Sequence, residues 1–541
     1  MSKITVVPLG DNLLRRVAED IAARFHVADD PLSLAGVTVI VPHRRGIVYL
    51  RHYLAEVIAE VAPAGAAAGG KLARPMLLPR MATIEEFVTE LAVAAEDRPG
   101  RALDPTDQAW LLFRLAKDLG LYTDVAGSWD RFFGWGVRLA GLLDEIDREM
   151  IDPADIYYPE DVPDEARELL GRLRSIYNGF VGALDREGYT TQARRFRKAA
   201  EALGACDAGS ACRSASSSTY LVGFYATSRS EDRIFRHLFE GGASIWWHAD
   251  PDDLPPLYRR WQEAWRAEIA TVGESRGSGP RLVFHEAYDL HAELRAVRAV
   301  LAGRAPGGVA AKPAADLPDQ SALVLPDPSA LVPALYHLPE AAGINVSLGY
   351  PLARSSIAAL LEQAMVLEEG KGKEGGYYHQ DYLTLLRHPY VRRLPTPTGK
   401  DGRIVLHLLE NKARQYGRPF LTQVDIRDLL ALACGEERDR NLLANEGIGF
   451  EEAVAHLDQI HARLLKPWQT VRSPRDLAAA LRKIVAFLLA PLLERPQAGP
   501  EPALDSEFLH ALAEQVVPSL EDTLFAGETM SRGLLFSLLR D

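Results

Sequence analysis

Val37-Thr38-Val39-Ile40-Val41-Pro42-His43-Arg44-Arg45 is a β-branched run that stops on a proline, a histidine and two arginines. A strand with one wet face alternates apolar and polar residues, whereas a continuous Val/Ile run bounded by turns reads as a strand buried on both faces, as in parallel sheets. The flanks agree. Residues 4–8 form a second β-rich run, Leu13, Leu14, Val17, Ile21 and Phe25 follow at helical spacing, and residues 49–61 read as a second helix. The chain therefore opens as an α/β sheet.

Further out the signal changes. From 87 to 202 helical periodicity replaces strands, as in Trp110-Leu111-Leu112-Phe113-Arg114-Leu115 and from Phe132 to Ile146. Residues 204–218 are rich in Gly, Ser and Ala and read as a loop. Strands return at 220–224 and 243–247 around a helix at 231–239, so the helical block reads as an insertion into the first α/β lobe. A second α/β unit is predicted from 281, with strands at 282–284, 322–325 and 345–348, helices at 290–301 and 329–338, and Gly/Pro-rich loops at 303–318 and 369–376. From 378 the pattern is mostly helical, and 404–408 is the nearest thing to a later strand. The expected divisions are lobe 1 at 1–88 and 219–280, a helical insertion at 89–218, an incomplete lobe 2 at 281–376 with an exposed sheet edge, and a second helical insertion at 377–541.

At 541 residues the chain exceeds one hydrophobic core, and roughly three or four domains are expected. No run of about 18 apolar residues suits a bilayer, and the N-terminus enters a strand directly, so no membrane association and a cytoplasmic location are expected. Cys206, Cys212 and Cys434 form no Cys-x-x-Cys or Cys/His cluster and read as unpaired thiols, with no metal site. The net charge of −13 argues against a protein that simply coats nucleic acid, but the charge is uneven. Residues 121–170 hold thirteen Asp/Glu against four Arg, and residues 377–420 hold eight Lys/Arg against three Asp/Glu.

Lobes interrupted by helical insertions, in this order, resemble superfamily 1 helicases. Several stretches resemble the AddB-type subunits of bacterial helicase–nucleases. These are residues 38–45; 78–87 (LPRMATIEEF); Leu221-Val222-Gly223-Phe224 with Ser230-Glu231; 322–327 (ALVLPD) with 344–352 (INVSLGYPL); and Leu385-Leu386-Arg387-His388-Pro389-Tyr390. The resemblance implies two P-loop-helicase-like (RecA-like) lobes that hold or scan single-stranded or duplex DNA during double-strand-break repair, beside an AddA-type helicase–nuclease partner. It also implies a nuclease domain, with an iron–sulfur cluster and Mg²⁺, C-terminal to the residues present here; no cofactor is expected within 1–541.

The chemistry of an ATPase is not legible. A phosphate-binding loop needs Gly-x-x-x-x-Gly-Lys-Ser/Thr, so that backbone N–H groups, an ammonium and a hydroxyl meet the phosphates and Mg²⁺. The loop after the first strand, Pro8-Leu9-Gly10-Asp11-Asn12, has one Gly, no Lys and no hydroxyl, and puts Asp11 where phosphate would sit. Pro8, Gly10, Asp11 and Asn12 thus read as a degenerate nucleotide loop. Asp144-Glu145-Ile146-Asp147 imitates an acidic metal box but continues a helical pattern, and reads as a solvated helix face. No nuclease constellation of an Asp with a Glu-x-Lys pair stands in a strand context. No catalytic residue is assigned.

What remains is binding. Residues 377–420 interleave Arg387, Arg392, Arg393, Lys412, Arg414 and Arg418 with Tyr378, Tyr390, Tyr416 and Phe420. Cations meet phosphates and aromatics stack on bases, the usual combination for single strands; a solvated helix face over core aromatics is the other reading. His43, Arg44 and Arg45 read either as DNA contacts at a strand exit or as surface charge. Trp246-Trp247 reads as core. The rival functions are a nucleotide-binding transferase or hydrolase using Asp11 or Glu231, and a scaffold without DNA contact.

Overall fold

Ile4–Val7 (β1) and Thr38–Val41 (β2) are almost wholly buried, as their unbroken apolar runs require. The computed structural model describes residues 4–28, 30–61, 76–95, 99–118, 128–153, 164–205, 218–273, 282–301, 322–338, 344–494 and 500–540. Arg80–Thr83 (β3) follows, then a two-residue pair of Arg101–Ala102 (β4) with Tyr189–Thr190 (β5), then Thr219–Val222 (β6), Ser244–His248 (β7) and Ile269–Thr271 (β8). Six of these strands form one sheet in the order β3-β2-β6-β7-β1-β8, every neighbouring pair parallel.

Parallel strands need crossovers, and the crossovers cover both faces. Helices Leu13–Phe25 and Arg44–Val61 bury Val17, Ile21, Leu50 and Leu54 against Val7, Val39, Val41 and Trp246. On the other face Ile84–Ala95, Gln192–Ala205, Arg229–Glu240 and Pro256–Trp265 pack on Ile4, Val6, Ile40 and Trp247. Trp246 and Trp247 thus point to opposite faces, as successive strand residues must, and both are core. The Trp247 ring stacks on Tyr258 at 4.1 Å and 6°. The long helical stretch between β3 and β6 begins and ends with helices of this second layer; between them, Pro105–Asp118 and Trp129–Arg148 pack on each other.

Two expectations change here. Asp144 and Asp147 lie on helix Trp129–Arg148 as predicted, but that face is not solvated: Asp147 is 4% exposed and accepts from Tyr177 and Arg197. The stretch 78–87, quoted only as an entry to helices, contains the edge strand β3.

The chain divides into two compact units, Met1–Arg281 and Leu282–Asp541. The second is mainly helical, with one antiparallel two-residue ladder, Tyr377–Tyr378 (β9) with Phe420–Leu421 (β10). The strands predicted at 282–284, 322–325 and 345–348 pair with nothing among the described residues, and no second parallel sheet is formed there. Phe284 is 90% and Val324 82% exposed, so these β-branched runs lack the buried neighbours that turn propensity into a strand. Residues 404–408 lie inside helix Arg403–Tyr416. Cys206 and Cys212 fall outside the described residues; Cys434 carries a free, half-buried thiol. No helix among the described residues is long and apolar enough to cross a membrane.

Candidate nucleic-acid interface

The loop after β1 is closed upon itself. Asp11 N–H donates to the Pro8 carbonyl at 2.9 Å, and Gly10 and Leu9 form the exposed turn between them. The Asp11 carboxylate accepts from Asn12 N–H at 2.8 Å and from Arg16 Nε at 2.8 Å, while the Asn12 side chain caps the helix by accepting from Arg15 N–H at 3.1 Å. His248 Nε2, at the end of β7, lies 3.1 Å from the Asp11 carbonyl oxygen. A helix N-terminus attracts anions because its first N–H groups lack acceptors. Here side chains of the loop itself supply the acceptors and a carboxylate supplies the negative charge. Gly273 backs the site at φ +103°, and a Cβ there would stand 2.2 Å from Asp11 Oδ2. Glu231 closes the capping box of helix Arg229–Glu240, bonding Ser228 N–H at 2.8 Å.

At the exit of β2, His43, Arg44 and Arg45 are all exposed. Arg44 is committed to Glu86, at 2.8 and 3.1 Å. Glu86 also caps Thr83, and its carboxyl is held below the ordinary range, first by the Thr83 backbone N–H and then by Arg44. Arg45 makes no ion pair among the described residues.

In the second unit the basic residues gather around acids. Arg387 ends helix His379–Arg387, Arg392 ends the short helix Pro389–Arg392, and Arg414 lies one turn beyond Glu410 on Arg403–Tyr416. All three reach the Glu410 carboxylate, at 2.9, 3.4 and 2.8 Å. Glu410 is nearly buried, while the arginine side chains keep 40%, 45% and 58% of their exposure. Three guanidinium groups on one carboxylate leave two positive charges uncompensated. Each guanidinium has five N–H donors, and Glu410 accepts from only a few of them. The cluster can therefore hold phosphate oxygens without breaking its own contacts.

The remaining candidates divide. Lys412 is drawn inward to Glu436 at 2.5 Å and Asp439 at 3.4 Å, and cannot also face a ligand. Arg418 pairs with Asp425 at 3.0 Å and lies over the Tyr416 ring at 5.1 Å, while the Tyr416 hydroxyl donates to the same carboxylate. Arg393 is half-buried beside the cluster. Tyr390 belongs to the core; Tyr378 and Phe420 are 5.9 Å apart on the β9–β10 ladder, with Phe420 partly open to solvent. Sequence reasoning named the cations and missed their organiser, Glu410. Its signal was available, since Glu410 and Arg414 stand at the i, i+4 spacing that brings helical side chains together.

No protein-family model matches the chain, and a search of curated proteins finds no match either. Among the described residues no group of three or more His, Cys, Asp or Glu is placed to hold a metal ion.

Proposed function

We propose that the protein binds single-stranded DNA through the Arg387–Arg392–Arg414 cluster, as the catalytically inactive, helicase-like part of a double-strand-break repair subunit working beside an AddA-type helicase–nuclease. The observation that carries the binding role is the surplus of positive charge, half-exposed, around the one buried carboxylate of Glu410. The doubly wound parallel sheet supports reading residues 4–273 as a helicase-like (RecA-like) lobe, and the occupied N-terminus of helix Leu13–Phe25 supports the lack of ATP chemistry. AddB-type identity rests on the motifs quoted from the sequence.

The scaffold reading draws support from one observation: Arg44, Lys412 and Arg418 are each engaged by carboxylates, as structural charges are. Salt-dependent binding of a single-stranded oligonucleotide decides between them. An Arg387→Ala, Arg392→Ala, Arg414→Ala variant is expected to flatten the log–log salt slope by about 2 units, at roughly 0.7 per lost phosphate contact. A variant that binds as the parent does would remove the cluster from the DNA path.

A further inference from the structure

Helix Phe450–Ile460 does not stop at Ile460 but widens into a π turn, His461–Leu465. Such widening shifts the register of the side chains beyond it, and here it turns Arg463 toward the same cavity as Gln459. The opposite wall is helix Pro474–Glu494, which contributes Arg482 and Lys483 and, one turn on, Phe487. The turn 395–399 forms the third wall, with Pro395 facing in. The space enclosed is about 620 Å³, the size of a small-molecule site.

Its chemistry is one-sided. Arg463, Arg482 and Lys483 line the groove, and no Asp or Glu does. Arg482 pairs with Glu521 at 2.8 Å, whereas Arg463 and Lys483 have no carboxylate partner among the described residues. That separates them from Arg44, Lys412 and Arg418. The third wall is already fixed. Glu452 accepts from Thr396 at 2.6 Å, from Thr398 and from Lys400 at 2.7 Å, which locks the turn. Beneath it Gly402 lies so close to the buried His456 ring that a Cβ would come within 2.3 Å of Nε2. A ligand would meet a formed site.

We propose that this groove binds a nucleotide unit, its phosphate on Arg463 and Lys483 and its base against Phe487 and Pro395. Free cations select an anion, and a ring beside a proline selects a flat apolar face; a nucleotide carries both. The unit can be a free nucleotide or one residue of a strand. Chain geometry favours the strand, because Pro395 is three residues from Arg392 and so within about 10 Å of chain from the arginine cluster. In that form the proposal rests on the single-strand function above and extends its path.

The test uses the full chain, a fluorescent oligothymidylate and free thymidine monophosphate, titrated at several salt concentrations. The Arg463→Glu, Lys483→Glu variant is expected to weaken oligonucleotide binding at least about tenfold and to flatten the salt slope by roughly 1.4 units. Phe487→Leu, which keeps the groove filled but removes the ring, is expected to weaken binding roughly fivefold to a hundredfold with the slope unchanged. Exposed Arg438→Glu, Arg440→Glu is the charge-matched control and is expected to bind as the parent. Loss of monophosphate binding alone in the groove variant would support the site with a free nucleotide as its source. If the groove variant binds both ligands as the parent does, or the control loses as much, the groove proposal is overturned, and the arginine-cluster variant then reports separately on the broader function. If the parent binds neither ligand, both proposals are overturned.

Discussion

Asp11 Oδ2 lies 2.8 Å from Arg16 Nε, so the loop after β1 carries its own anion at the mouth of the first helix. A phosphate arriving there would have to displace this carboxylate and find donors for itself. Adding Mg·ATP is therefore expected to leave the melting temperature unchanged and to produce no hydrolysis. A DNA-stimulated ATPase rate that vanishes in Asp11→Ala would contradict this.

Gly273 holds φ +103° directly behind that carboxylate. Gly273→Ala adds both backbone strain and a collision with Asp11, and is expected to cost about 1–3 kcal/mol of stability. In an Asp11→Gly background the collision is gone, so the cost should shrink while the backbone part remains. A double-mutant cycle by chemical denaturation measures the difference, and strict additivity would show that the two residues do not crowd each other.

Glu410 is expected to act as a brake on DNA affinity as well as an organiser. Glu410→Gln removes the one negative charge among three arginines, so oligonucleotide binding at low salt should tighten and its salt dependence steepen. Stability should fall by about 1–2 kcal/mol, because the carboxylate accepts charge-assisted bonds from all three. Weaker binding by a folded Glu410→Gln protein would mean that the geometry of the cluster matters more than its charge.

Two buried histidines make the second unit acid-sensitive. Burial pushes His456 and His461 down to about 4. Neither ring nitrogen of His456 makes a hydrogen bond of good geometry, and the Pro395 carbonyl offsets its burial only in part. His461 Nε2 lies 2.7 Å from the Tyr382 hydroxyl. With folded values below the unfolded value near 6.5, the unfolded chain takes up protons first as pH falls, so stability is fully present above about 6.5 and is lost between there and about 4. The loss is about 3 kcal/mol per histidine over that window. His456→Leu is expected to remove one proton's worth of this slope; an unchanged pH profile of unfolding would show that His456 titrates normally.

The first sheet was legible because β1, β2, β6 and β7 are continuous apolar runs, which only a doubly covered sheet explains. The edges were not. β3 begins with the exposed Arg80, and β8 is a three-residue strand with half-exposed side chains, so neither carries a buried-strand pattern. In the second unit the same β-branched composition misled, since a run at 282–284 or 322–325 is a strand only if something pairs with it. The candidate interface shows a parallel limit. The density of Arg and Lys in 377–420 could be counted, but Lys412 is neutralised by Glu436 and Asp439 from outside that window, and Arg463 and Lys483 lie far from it in sequence. Pairing in space decides which cations are free.

The strand order has a consequence for how the protein is made. β1 begins at Ile4, yet both its neighbours, β7 and β8, lie beyond residue 240. At about 5–20 residues per second, a ribosome needs roughly 10–50 s to deliver them after β1 emerges. During that interval an apolar strand has two open edges and no native partner, while β2 and β3 are already free to pair. Long-range parallel pairing of this kind is slow and exposed to misassociation even once the chain is complete. Synthesis of the first unit is therefore expected to depend on something that shelters its N-terminus until the last two strands arrive.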